Sequence, residues 1–206
     1  MIDGLFKRLR RASSHAKDKG SNAEGIFSLT SAYITLETKL ELSCTYRAGF
    51  CIKNVNGTNF DDTIREVQEF LRISRSEFLT EDTMVDDRLG YLWIMIKGKS
   101  TEDILVVLNG VAETFEEAGF RDQLLAAVFE FRSDANDHNA YQGPQYLIYN
   151  YKRANFYPFV PLGIQEKRAD DLELKIMSVI SKETPWENDM SVWYPMWDMP
   201  FDKIRV

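Results

Sequence analysis

The sequence predicts a single α+β domain in which helices pack on a mostly antiparallel sheet. Apolar residues repeat with a helical period in some segments and alternate as in strands in others, in the order helix, strand, helix, two strands, helix, two or three strands, helix. Because consecutive strands follow each other without an intervening helix, antiparallel pairing fits this order better than a doubly wound parallel sheet does. No abrupt change of composition argues for a second domain, so we expect one domain over residues 26–206.

The first 25 residues differ in composition from the rest of the chain. Residues 1–11 place apolar side chains at helical spacing among basic ones, which predicts a short basic amphipathic helix. Residues 12–25 are rich in Ser, Lys, Asn and Gly and predict a flexible linker. Such a helix gives at most weak peripheral contact with an anionic membrane, and a disordered start or a helix docked on the domain stay open. The candidate membrane contact comprises Leu5, Phe6, Lys7, Arg8, Arg10 and Arg11.

Four helices are predicted within the domain from apolar stripes and from residues that favour helix ends. The first begins at Ser28, and Ser28 or Thr30 can cap it. The second follows Asp61 and Asp62, whose charges suit the positive end of a helix dipole. The third has the strongest signals, with Ser100 as its cap and Gly119 at its end. The four helices are expected over residues 28–40, 61–73, 100–119 and 169–181.

Strands are predicted where apolar residues alternate with polar ones or form short runs. Residues 46–53 alternate, which predicts a strand with one buried face. Residues 89–97, LGYLWIMIK, are apolar on both sides, so this strand belongs at or near the middle of a sheet that is covered on both faces. The other strands, of which the last two form a hairpin, are expected over residues 77–85, 124–132, 146–151 and 156–160.

Charge and hydropathy argue against several classes of protein. The net charge of −7 and the pI near 5.0 disfavour nucleic-acid binding, which rests on clustered Lys and Arg. No apolar run approaches the roughly 20 residues needed to cross a bilayer, and no apolar secretory signal is evident. We therefore expect a cytoplasmic protein with, at most, peripheral contact at the inner face of the membrane. Cys44 and Cys51 are too few for a disulfide framework and are expected to be reduced thiols.

Catalytic signatures are scarce in this sequence. His15 and His138 are its only imidazoles, the first in the basic segment and the second in a polar loop. Neither a glycine-rich phosphate loop, nor a dinucleotide-binding fingerprint, nor a Gly-x-Ser-x-Gly elbow occurs. We therefore expect a protein that is not an enzyme and that holds no cofactor or metal.

Two other function classes stay open. Asp86 and Asp87, with Arg88, could serve a metal-dependent hydrolase, although a turn between strands is the more ordinary role for such a pair. An ordered divalent cation would support the hydrolase, and a concave aromatic pocket would support a small-ligand sensor. The residues expected to line the pocket of such a sensor are Tyr149, Tyr151, Phe156 and Tyr157.

Aromatic residues concentrate after residue 140, where three of the four tryptophans lie. Those of residues 146–161 alternate as in strands, which favours a place in the core. Residues 186–197 have no clear period and combine Trp, Tyr, Met and Pro, a composition enriched at protein-binding hot spots. The alternative is a tail that wraps the domain and closes its core. The candidate interaction residues are Arg153, Phe156, Tyr157, Trp186, Trp193, Tyr194 and Trp197.

The chain contains the segments LTSAYITLETKL, TYRAGFCIK, YLIYNYKRANFYPFVPLG and WENDMSVWYPMWDMPF. With these segments it resembles the PspA-associated family called PspAB, found alongside PspA-type membrane-stress proteins. The resemblance implies a non-enzymatic accessory protein whose partner is a PspA-like coiled coil, and it carries over no catalytic residue. The order of elements is also similar to that of type III secretion chaperones and YbjN-like proteins, which bind polypeptides. A homodimer stays open.

Overall fold

A computed structural model describes residues 22–135, 137, 140–163 and 166–204 of the chain. Its strands are β1 (Leu42–Lys53), β2 (Glu81–Asp86), β3 (Tyr91–Lys97), β4 (Leu124–Ser133), β5 (Gln145–Asn150) and β6 (Asn155–Phe159). Its helices are α1 (Asn22–Phe27), α2 (Leu29–Leu40), α3 (Thr58–Glu77), α4 (Thr101–Glu117) and α5 (Asp170–Ile180). The strands form one sheet in the order β2-β3-β1-β4-β5-β6, and all neighbours pair antiparallel. The predicted α+β class is confirmed.

The start of the domain differs from the prediction. The basic helix predicted over residues 1–11, with the candidate membrane contact, lies outside the described residues. The linker predicted up to residue 25 ends earlier, because α1 begins at Asn22. Ser28 does not cap α2: its backbone is helical, and its hydroxyl donates to the Gly25 carbonyl at 2.6 Å. A capping residue needs an extended backbone, which the directly preceding α1 does not leave.

The central position of β1 decides its burial. This strand lies between β3 and β4, and residues 48–52 are buried on both faces, so the prediction of one buried face is wrong. Gly49 and Cys51, which the alternation places on the face opposite the predicted buried one, are buried as well. Tyr46, predicted to face inward, is 38% exposed and has a φ of 55° where the pairing with β4 shifts register. A local irregularity of this kind turns a side chain to the opposite face.

The two strongest sequence predictions are confirmed. β3 has five consecutive buried residues and pairs with a strand on each side. The Ser100 side chain accepts a hydrogen bond from the Asp103 backbone N–H at 3.1 Å and so caps α4. Gly119 follows α4 with a φ of 84°. These elements are predictable because their signals lie within a few residues of one another.

Helices cover one face of the sheet. α4 packs on β1 and β4 and against α3, and its twelve buried residues make it the most buried helix described. Gly110 of α4 allows this approach, because a Cβ at that position would overlap the buried Phe70 ring of α3. Phe60 and Phe115 extend the same contact, with ring centroids 5.7 Å apart. None of the described helices is long and apolar enough to pass through a bilayer.

The C-terminal tail, defined as residues 181–204, crosses the other face. Successive strand residues point to opposite faces, so Tyr146 and Tyr157 lie on the face away from Tyr149 and Phe156. Phe201 of the tail packs on Tyr146 with ring centroids 5.1 Å apart. The Tyr157 hydroxyl donates to the backbone carbonyl of Tyr194, a tail residue, at 3.2 Å. The sheet is therefore the middle of three layers: helices, sheet and tail.

Candidate functional site

The tail begins by closing one edge of the sheet. The Phe156 N–H of β6 donates to the Pro185 carbonyl at 2.8 Å, and the Glu187 N–H donates to the Phe156 carbonyl at 2.9 Å. This short parallel bridge pairs the outer edge of β6 with Trp186. A covered edge cannot template pairing with another strand.

Four of the candidate interaction residues belong to the core. Phe156, Tyr157, Trp186 and Trp193 are all less than 10% exposed. The two indoles pack edge to face with ring centroids 5.9 Å apart, and the Trp193 indole N–H donates to the Glu187 carbonyl at 3.0 Å. In this fold Phe156, Trp186 and Trp193 pack inside the domain, as expected for a tail that closes the core, whereas Tyr157 also lines the cleft described below. Residues 186–197, whose sequence has no period, fold without an α-helix and contain one short 3-10 turn at Met190–Val192.

Arg153 is half exposed but engaged within the domain. Its guanidinium forms an ion pair with Glu187, a carboxylate only 5% exposed that also accepts from the Asn155 amide at 2.9 Å. The Asp189 N–H donates to the other oxygen of Glu187 at 3.0 Å. The Arg153 bond, followed by these others, lowers the pKa of Glu187 to about 2. Arg153 therefore fixes the tail to the β5–β6 hairpin.

A second ion pair holds the middle of the tail. Glu173 of α5 is buried and accepts from the Arg168 guanidinium, with the closest pair of atoms 2.7 Å apart, and from the Val160 N–H at 2.8 Å. Arg168 also donates to the Trp193 carbonyl at 2.9 Å. Burial outweighs these bonds and raises the pKa of Glu173. Glu173 is thus one of three buried residues of α5, beside Ile176 and Ile180 of the predicted apolar stripe.

A third ion pair holds the end of the tail. Arg47 of β1 contacts the buried Glu130 of β4 at 3.0 Å, and Arg132 contacts its other oxygen at 3.2 Å. The same Arg47 donates to the carbonyls of Phe201 and Ile204, the latter at 3.1 Å. Arg47 thus links the sheet to the last described turn of the chain.

Between these anchors the tail, the β2–β3 turn and the sheet enclose a cleft of about 680 Å³, here called the tail cleft. Three of the candidate interaction residues, Tyr157, Tyr194 and Trp197, line it. Leu89 and Tyr194 are 72% and 58% exposed, so large apolar surface is presented by both the turn and the tail. An ion pair at 2.6 Å between Arg88 and Asp198 joins the turn to the tail. Further lining residues are Cys51, Asp87, Tyr91, Trp93, Met196 and Met199.

Asp87 of the tail cleft organises the β2–β3 turn. One carboxylate oxygen accepts from the backbone N–H groups of Leu89 and Tyr91 at 2.8 and 2.9 Å, and the other accepts from the Trp93 indole at 3.0 Å. Asp86 accepts from the Asn54 amide at 3.2 Å. The turn role that the sequence favours for this pair is the one observed. Burial, together with the nearby Asp87 charge, raises the pKa of the Cys51 thiol to about 12.

The residues predicted for a small-ligand sensor do not form one pocket. Tyr149 and Phe156 pack on each other in the core under the helices, with ring centroids 4.9 Å apart, and Tyr151 packs on Phe50 at 5.1 Å. Only Tyr157 lines the tail cleft, so this set of lining residues is wrong. The cause is the strand alternation, which sends neighbouring aromatic residues to opposite faces of the sheet.

Several residues of the site carry no signal in the sequence that would single them out. Leu89 looks like part of the apolar run before β3, yet it lies in the turn and is exposed. Met196 and Met199 have no periodic context. The one available signal is the Asp-Arg-Leu-Gly sequence at residues 87–90, which is typical of a turn. The sequence does not reveal that this turn lies beside the tail, because that position follows only from the fold.

Within the described part of the chain, no group of three or more His, Cys, Asp or Glu side chains could hold a metal ion.

Comparison with known proteins agrees with the resemblance seen in the sequence. Neither a curated protein nor a solved structure matches the chain. The family described as PspA associated protein B matches residues 2–201, nearly the full 206 residues. The chain therefore belongs to the PspAB family.

Proposed function

We propose that this chain is a non-enzymatic accessory protein of a PspA-type membrane-stress response and acts in the cytoplasm by binding a protein partner in the tail cleft. The observation that carries the proposal is the match to PspA associated protein B over residues 2–201, because that description names PspA as the associated protein. We take the partner to be a PspA-like coiled coil.

The chemistry of the tail cleft supports a protein ligand. Leu89 and Tyr194 expose apolar surface next to a concave site, and exposed apolar patches of this kind mark interaction surfaces. Met196 and Met199 add flexible thioether side chains that adapt to the shape of a partner. Tyr91, Tyr194 and Trp197 at the cleft are aromatic residues of the types enriched at binding hot spots. A partner side chain that entered here would be buried between the sheet and the tail.

The test is a calorimetric titration of the full chain with the purified PspA-type protein of the same cell. The double variant Leu89→Ala and Tyr194→Ala is expected to bind about tenfold more weakly or worse, because apolar contact at the mouth of the cleft is lost. The matched control is the pair Ile34→Ala and Met190→Ala, which are similarly exposed, at 52% and 48%, and do not line the cleft.

Two outcomes would contradict the proposal. Absence of binding by the unaltered chain would refute the PspA-like partner. Equal binding by the cleft pair and the control pair would show that the partner sits elsewhere on the molecule. The hydrolase and sensor alternatives gain no support from this site, because the Asp87 oxygens are engaged in the turn and the sensor residues lie in the core.

A further inference from the structure

Asp87 is a partly buried carboxylate whose hydrogen-bond donors among the described residues are all neutral. They are two backbone N–H groups and the Trp93 indole. Within the residues that the structure describes, Asp87 forms no ion pair, in contrast to Glu130, Glu173 and Glu187. Its hydrogen bonds hold the turn, but its negative charge is left without a positive counterpart in the wall of the tail cleft. A charge in such a place favours a cationic ligand.

The rest of the cleft adds to this preference for a cation. Three carboxylates, Asp87, Glu166 and Asp198, line it against one ammonium group, Lys152. Arg88 offsets Asp198 at the mouth, which leaves the cleft with negative charge. The thiol of Cys51 is neutral at physiological pH, because its pKa is raised to about 12.

Aromatic rings complete the environment. Tyr91, Tyr194 and Trp197 all line the cleft and retain exposed surface. The face of an aromatic ring attracts a guanidinium or ammonium group, and the attraction is larger when the cation is desolvated. An arginine side chain also gains by stacking its planar head on such a ring.

We propose that the tail cleft takes a basic side chain, arginine in the first place, presented by the partner polypeptide, with Asp87 as its counter-charge. This inference rests on the proposed function and names the chemistry of the partner. A polypeptide fits better than a free cation because Leu89 and Tyr194 offer apolar contact to the residues on either side of the basic one. The partner segment therefore carries an arginine or lysine between apolar residues.

The test compares three capped peptides that differ at one central position, with arginine, its neutral isostere citrulline, or norleucine between leucines. Binding is followed in the full chain by the NMR signal of the Trp93 indole N–H, which donates to Asp87. The buried Trp186 and Trp193 indoles serve as internal controls. We expect the arginine peptide to shift the Trp93 signal saturably and to bind about tenfold more tightly than the citrulline peptide. This comparison uses the unaltered chain and does not depend on the folding of a variant.

Variants then assign the charge. Asp87→Asn keeps one acceptor oxygen for the turn but removes the charge and the second acceptor, so its binding is followed by calorimetry and not by the Trp93 signal. The preference for arginine over citrulline is expected to disappear. Asp62→Asn, an exposed carboxylate on α3, is the matched control and should leave the preference unchanged. Tyr194→Ala should weaken all three peptides and the arginine peptide most, since it removes apolar ring surface and one of the rings that attract the cation.

The chain's own basic segment could compete with a peptide, so the titration is repeated with Lys7, Arg8, Arg10 and Arg11 all replaced by glutamine. Equal binding of arginine and citrulline peptides, or no shift of Trp93 in either chain, would overturn the inference. So would a shift caused by phosphatidylcholine vesicles in place of the arginine peptide, which would assign the cleft to a lipid headgroup. Binding of the PspA-type protein is measured separately, and its persistence after any of these results would leave the proposed function standing.

Discussion

Charged side chains hold the tail in place, which is unexpected for a segment so rich in aromatic residues. Glu130, Glu173 and Glu187 are each buried, and each meets an arginine that also reaches the tail or the hairpin beneath it. A buried ion pair contributes little net stability compared with apolar packing, but removal of one partner leaves a costly uncompensated charge. These pairs therefore specify where the tail lies.

Glu187 gives a prediction that depends on pH. Its pKa falls from its ordinary value of 4.5 to about 2 in the folded chain, mainly through the bond to Arg153. Its contribution to stability is therefore present above about pH 4.5 and is lost as the pH falls toward 2. We expect Glu187→Gln to lower the free energy of unfolding by about 1–3 kcal/mol at neutral pH.

The measurement is urea denaturation of both chains at pH 7 and pH 3. The difference in unfolding free energy between the native chain and Glu187→Gln should shrink at the lower pH. Glu69→Gln is the control, because Glu69 pairs with Arg72 on the exposed face of α3 and its loss should be barely measurable. A difference that grows as the pH falls would show that the sign of the Glu187 contribution is wrong.

At the level of elements, the contact between α3 and α4 depends on one missing side chain. Gly110 lies inside α4, where alanine has the better helix propensity by roughly 1 kcal/mol. The Phe70 ring, however, fills the space that a Cβ would need, and this ring is fully buried. Overpacking of this kind costs about 1–3 kcal/mol, so the steric effect is expected to win.

Gly110→Ala should therefore lower the urea midpoint in spite of its better propensity. The control is a double-mutant cycle with Phe70→Leu, which removes the ring that the new methyl group meets. The double variant should be more stable than the sum of the two single effects predicts, because the two changes share one space. A higher urea midpoint for Gly110→Ala alone would contradict the packing argument.

The elements also show how far sequence reasoning reaches. β3 and α4 are predictable because their apolar runs, cap and final glycine are local signals. The two-sided burial of β1 is not, because it depends on β3 and β4 lying on either side and on the tail above. The same holds for α5, where Glu173 is buried only because Arg168 and the Val160 N–H meet it. Local patterns thus give the elements, and pairings between distant residues decide which faces are buried.

For the whole molecule, the tail is a third layer whose character cannot be read from composition. Trp186 and Trp193 are buried, Trp197 is partly buried against Phe159, and Tyr194 is exposed, although all four lie within twelve residues of one another. The candidate set in the sequence therefore contains both core and surface residues. Leu89 and Asp87, which complete the tail cleft, come from a turn about a hundred residues earlier and join the site only through the fold.

The three-layer arrangement predicts that tail and sheet unfold together. Three of the four tryptophans belong to the tail, and Trp93 lies in the sheet, so tryptophan fluorescence mainly follows the tail while far-ultraviolet circular dichroism follows the strands and helices. Arg47 and Arg168 donate hydrogen bonds to backbone carbonyls of the tail, and Arg153 forms an ion pair with its Glu187. Because these contacts bind the tail to the rest of the domain, we expect both signals to change at the same urea concentration in one transition.

A Trp93→Phe variant restricts the fluorescence to the tail and provides the stricter form of this test. The side chain is buried and similar in shape to its replacement, so the variant should be less stable but still fold. Coincident midpoints in this variant would establish the tail as part of the cooperative unit. A fluorescence transition at clearly lower urea than the dichroism transition would show instead that the tail detaches from a folded sheet, and the tail cleft would then exist only while the tail is bound.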